Sequence, residues 1–308
     1  MPSCIRNKNN LIKLWYILMD TSKYLRLVNM GKIKLKDVLP YLLMFPAILI
    51  GSLAMILYGV SSSMWMQNFI MWILGSIIGI ILIHKTKQMQ PIKSIHQRSI
   101  MIIVLLIAPF LFKGIEGIHR WIQIGPINFY VASILLPLLL IYLWKLVENN
   151  HYVYVIGVNL IVLFILLLHP DAGQVTAFAC ASSMLCWTKI KNRLLNFLNL
   201  TMITTIVIIS WIFLDDLAAV PYVEHIIFLV KDMGVLWFLF GLISLILLLF
   251  PFFFYRKVTT ISLTLGVYFL VMMLVTFFGH FPMPIMGYGI SPVVGYIISI
   301  TYLNKVNR

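Results

Sequence analysis

Charged side chains are scarce. Asp, Glu, Lys and Arg make up 10% of the 308 residues, where soluble domains carry about 25%. Together with 62% hydrophobic residues, that shortage excludes a soluble globular enzyme, a disordered chain and a collagen-like chain. Cysteine is scarce too. Cys4, Cys180 and Cys186 are too few, and too apolar in context, for a disulfide framework. No CxxC or Cys/His spacing suggests a structural metal. The chain has no Walker A, GxSxG, HExxH or dinucleotide fingerprint, so it is not expected to hydrolyse ATP.

Long apolar runs fill the chain instead. Ten are separated by polar breaks, at 41–59, 64–83, 100–112, 128–147, 152–168, 174–188, 197–214, 235–254, 259–278 and 288–303. A membrane-spanning helix needs roughly 20 apolar residues, so the short third and sixth runs are expected to borrow less apolar flanks. A β-barrel would alternate apolar and polar residues over strands of about ten. A run such as VLWFLFGLISLILLLFPFFF is apolar on every face. The pattern therefore predicts an all-α, polytopic membrane bundle of ten helices.

The net charge of +14 follows the loops and does not suggest nucleic-acid binding. With residue 1 in the cytoplasm and ten spans threaded, 20 of the 23 basic residues fall inside. Six of the nine acids fall outside: Glu116, Asp171, Asp215, Asp216, Glu224 and Asp232. This asymmetry sets both termini in the cytoplasm. Residues 1–40 are basic and too polar to span. They are expected to form either a solvated tail or an amphipathic helix whose Lys13, Lys23 and Arg26 meet anionic membrane lipid. Residues 41–308 form the transmembrane domain.

Polar residues gather in four outer loops. KGIEGIHRWIQIGPINF (113–129) holds Trp121, suited to the membrane interface, and Arg120, which can pair with Glu116 or bind a phosphate through its planar fork. HPDAGQ (169–174) puts Asp171 where it can cap a helix N-terminus. DDLAAVPYVEHIIFLVKDMG (215–234) gathers four acids. It is either a solvated loop or the source of a general base or of a ligand to a divalent cation. GHFPMPIMGYGISP (279–292) is too rich in proline and glycine for a regular helix. Such backbone at membrane depth must be buried in protein or line a cavity, and a cavity in the outer half is expected.

Three of these stretches, in order, resemble the FtsW/RodA/SpoVE (SEDS) family. GIHRWIQIGP is similar to the family's Gly-x-x-Arg-Trp-Ile-x-Leu-Gly-Pro, through Gly117, Arg120, Trp121, Ile122, Gly125 and Pro126. His169 to Gly173 resembles Gln-Pro-Asp-x-Gly. Pro282, Pro284, Tyr288, Gly289 and Ser291 match the last motif. The resemblance implies a ten-span protein of the bacterial plasma membrane that polymerises lipid II, an undecaprenyl-linked precursor, into peptidoglycan strands during division, elongation or sporulation. It implies a partner transpeptidase, a class B penicillin-binding protein, and leaves room for a divalent cation beside the pyrophosphate. It also implies a carboxylate base between helices seven and eight, a position that falls on Glu224 if one residue is deleted and on Val223 if none is. Arg120, Trp121, Asp171, Tyr288 and Ser291 are then expected to bind substrate.

This sequence departs from the pattern after Gly-Pro. Tyr130, Val131, Ala132 and Ser133 stand where the family has Gln-Pro-Ser-Glu, and the Lys that pairs with that Glu is absent. Two alternatives stand beside the polymerase: a non-catalytic relative that binds precursor or transpeptidase, and a lipid II transporter.

Overall fold

The computed structural model describes residues 34–84, 91–125, 127–215, 217–254 and 257–307. The expected surface helix within 1–33 and the side chain of Asp216 lie outside the described residues. The helices are α1 (Leu35–Leu42), α2 (Phe45–Leu57), α3 (Ser62–His84), α4 (Ile92–Ile107), α5 (Val131–Glu148), α6 (Tyr152–Leu168), α7 (Ala172–Lys189), α8 (Arg193–Ile212), α9 (Ile226–Asp232), α10 (Val235–Phe253), α11 (Thr260–Val275) and α12 (Ile290–Val306). One antiparallel hairpin, β1 (Trp121–Ile124) and β2 (Ile127–Tyr130), precedes α5.

Among the described residues each of the ten expected apolar runs holds a helical segment, and α9 lies outside them. α1 and α2 share the first, Leu35–Leu57, broken at Leu43 and Met44 because Pro46, in the first turn of α2, has no N–H to continue a ladder. The third begins at Ile92 and runs on through a 3₁₀ turn to Leu111, and the sixth begins at Ala172. Both reach upstream into less apolar sequence, as their short apolar runs require. Among the described residues six crossings are long and apolar enough to span a membrane, and α6 and α11 are shorter but apolar.

Two of the less apolar helices, α7 and α12, sit innermost. α7 packs against α5, α6, α8 and α11, and α12 packs against α3 and α5. Inside a bundle the neighbours are protein, so α7 can carry Gly173, Gln174, Ala177, Ala181 and Ser182 as buried residues. Small side chains there let backbones approach closely. The outer helices instead present apolar faces to lipid, such as Ile70, Leu74, Ile77 and Ile81 on α3, and Leu236, Phe240 and Ile243 on α10. Gly295 marks the tightest crossing of α12 over α5, where a methyl group would collide with the Ser133 carbonyl. Gly295→Ala is expected to cost about 1–3 kcal/mol by overpacking, read as a lower thermal midpoint in detergent.

Candidate functional site

The outer ends of these helices carry the site, and the hairpin organises it. Gly114 and Gly117, both at positive φ, turn the chain after the third crossing. Gly125 at φ 59° turns it again, so that Trp121 faces Tyr130 in register. This delivers Arg120 to the base of the hairpin, where it is buried at 5% exposure.

Arg120 is paired, though not with Glu116. Its Nε donates to the His169 carbonyl at 2.8 Å. Its Nη2 donates to the Pro170 carbonyl and forms an ion pair with Asp215. Nη1 makes no hydrogen bond among the described residues. The guanidinium also lies 5.8 Å from the Trp121 ring. Trp121 thus packs against the buried cation and the core. Asp215 is fixed in turn, since its second oxygen accepts from Leu217 N–H at 3.1 Å.

Asp171 caps α7, as its position predicts: its Oδ1 accepts from Gln174 N–H at 3.1 Å. Its Oδ2 accepts from the Tyr130 hydroxyl. Burial raises the Asp171 carboxyl above the usual range, and the nearby Arg120 charge opposes that rise. Burial first and the Arg120 charge second hold the His169 imidazole down to about 4, so it is neutral near pH 7. Behind Asp171, the Tyr268 hydroxyl donates to Gln174 Oε1 at 2.6 Å. A void of about 10 Å³ between Tyr130, Ser133, Gln174 and Pro284 is close to the size of one water.

The proline-rich stretch meets its burial requirement through protein contacts. Phe281, Met283, Ile285 and Met286 are all buried, and Gly51 of α2 lies so close that a methyl group would strike the Met286 carbonyl. Asn68 of α3 holds both sides of the turn, donating to Gly287 O at 2.9 Å and accepting from Gly289 N–H at 3.2 Å. Ser291 Oγ accepts from Tyr130 N–H at 2.9 Å. The Tyr288 hydroxyl donates to Gln67 Oε1 at 3.2 Å.

Glu224 belongs to a turn clamped onto that stretch. Met283 N–H donates to Val223 O at 3.1 Å, and Tyr288 N–H donates to Tyr222 O at 2.9 Å. Half-buried Glu224 accepts from Val220 N–H through Oε2 at 2.6 Å. Burial pushes its carboxyl up to about 7, and Arg120 and Asp215 both lie within electrostatic range. The two histidines nearby, His225 and His280, have ring centroids 5.2 Å apart.

One connected cluster therefore holds Arg120, Trp121, Asp171, Glu224, Tyr288 and Ser291. The sequence pattern does not pair Asp215 with Arg120, nor does it mark Tyr130, Gln67, Asn68 or Gln174 as members of the cluster. Gln67 and Asn68 could have been found as polar residues in an apolar span, a rarity that usually marks a bundle interior. Among the described residues no three His, Cys, Asp or Glu side chains gather to hold a metal, and Asp171 and Asp215 are already engaged.

A multi-pass helical membrane protein with a fixed, charged cluster at its outer face is the class these features define. Its fold is that of RodA. The rod shape determining protein RodA of Thermus thermophilus aligns with a TM-score of 0.67 at 15% identity, covering 87% of this chain and 95% of that one. A point mutant of the same RodA gives 0.68 at 15% identity, over 87% and 96%. A chain from a peptidoglycan synthase complex that coordinates polymerization and crosslinking gives 0.59 at 16%, over 86% and 96%. No protein-family model matches the sequence, and no curated protein matches it.

Proposed function

We propose that this chain is a SEDS-type protein of bacterial cell-wall synthesis in the plasma membrane, polymerising lipid II at its outer face beside a transpeptidase partner of the penicillin-binding class. The observation that carries the reading is the convergence of the three motif stretches and the Glu224 turn into one hydrogen-bonded cluster at one end of a RodA-like bundle. In this reading Glu224 takes the proton from the attacking sugar hydroxyl. A carboxyl held near 7 is matched to that work at neutral pH. The free Nη1 of Arg120 faces the pyrophosphate, and Asp171 fixes the hairpin and α7 against each other.

A second reading, a non-catalytic relative that binds precursor or transpeptidase, is favoured by one observation. Ser133 stands where the family has a buried Glu, and its Oγ has no hydrogen-bond partner among the described residues. Purified protein supplied with lipid II separates the two. Glycan polymer, absent when the protein is left out, is the expected product. Lipid II that binds and stays monomeric would make the second reading correct.

A further inference from the structure

The cytoplasmic end of the bundle carries a groove that the outer site does not use. Its volume is about 870 Å³, and it lies between the start of α4 and the last turns of α5 and α12. That size suits a small amphiphile. Ile95, Leu138 and Ile141 supply apolar wall, and Tyr142, Trp144 and Tyr302 line it with aromatic rings.

Two cations, Lys145 and Lys305, stand in the same groove. Lys145 Nζ lies 5.3 Å from the Tyr302 ring centroid and 5.9 Å from that of Tyr142. Arg98 and Lys305 are both within electrostatic range of Lys145. The one acid among the described rim residues is already used, because Glu148 pairs with Lys189 at 2.7 Å. Among the described residues neither Lys145 nor Lys305 has a carboxylate partner.

Like charges gathered beside apolar wall are relieved by an anion, and that wall is dried by a hydrocarbon chain. A soluble anion supplies only the first, and a zwitterionic lipid carries no net charge to supply it. The groove also stands on the basic side of the protein, at the level of the inner headgroups, where Tyr and Trp favour the interface and anionic lipid is enriched. We propose that this groove binds an anionic phospholipid of the inner leaflet, its phosphate held between Lys145 and Lys305 and an acyl chain against Ile95, Leu138 and Ile141.

The full chain in detergent, titrated with dioleoylphosphatidylglycerol or dioleoylphosphatidylcholine and read by native mass spectrometry, tests this. The anionic lipid is expected to bind at least tenfold more tightly. The double variant Lys145→Gln/Lys305→Gln is expected to lose about thirtyfold, the usual electrostatic worth of two basic residues at an anionic surface. Lys145→Arg/Lys305→Arg, which keeps both charges, is expected to retain binding, as is Lys257→Gln, at an exposed basic site elsewhere. Undiminished binding by the glutamine pair, an equal loss in Lys257→Gln, or equal affinity for the two lipids would overturn the assignment. Displacement of the lipid by millimolar glycerol phosphate would overturn it in favour of a soluble-phosphate site.

Discussion

Arg120→Met is expected to destabilise the protein by about 3–5 kcal/mol, the usual penalty for stripping one partner from a buried ion pair. The guanidinium serves four groups at once. It neutralises Asp215, satisfies the His169 and Pro170 carbonyls, and opposes the burial of Asp171. Methionine fills the space of the stem and supplies none of these. Asp171 then loses the one cation that keeps its carboxyl from rising further, and the hairpin loses one of its ties to the start of α7, keeping the Tyr130–Asp171 hydrogen bond. Thermal unfolding in detergent measures the loss. Asp215→Asn in the Arg120→Met background separates pair from context, because a coupled pair costs less together than the sum of its parts, by about 0.5–3 kcal/mol. Arg120→Lys should fall between parent and methionine variant, since an ammonium keeps the charge without the fork that reaches two carbonyls and a carboxylate together. A methionine variant that unfolds with the parent would show that the cluster is not what fixes the outer face.

Much of this arrangement is legible in the sequence, for a physical reason. Lipid allows the backbone few solutions, so uniformly apolar runs became helices in the expected order. The limits of the reading fall where protein replaces lipid as the neighbour. α7 is the clearest case. Its buried Gln174 and small residues lower its hydropathy, yet it is among the most enclosed helices. The strands at 121–130 are only four residues each, too short for an alternating pattern to stand out. Asp171 was readable as a cap because capping is local, set by residues three apart. The partner of Arg120 was not, because Asp215 lies 95 residues away along the chain and Glu116 offered a nearer carboxylate. The same is true of Tyr130, whose hydroxyl meets Asp171 only once the hairpin has folded over α7.

If the chain polymerises lipid II, Glu224→Gln is expected to lower the rate about 10²–10⁴-fold, the usual worth of a positioned general base. Glutamine keeps the side chain's length and its carbonyl oxygen, so Val220 N–H still has an acceptor and the turn against Tyr288 persists. The loss should therefore fall on turnover and leave the KM for lipid II nearly unchanged. The pH profile sharpens the expectation. Only the ionised carboxylate accepts a proton, and burial pushes the Glu224 value up to about 7. The parent's rate should fall as pH drops through about 7 and level off above it, and the glutamine variant's residual rate should lack that limb. Acid unfolding through Glu224 cannot mimic the limb. A carboxyl whose folded value lies above its ordinary 4.5 stabilises the fold at low pH, and that contribution disappears as pH rises through the folded value. A glutamine variant with full rate and the parent's profile would remove Glu224 from the chemistry while leaving polymerisation intact. The base would then have to be sought among the other outer carboxylates, with Asp215 already committed to Arg120 and Asp171 to the α7 cap.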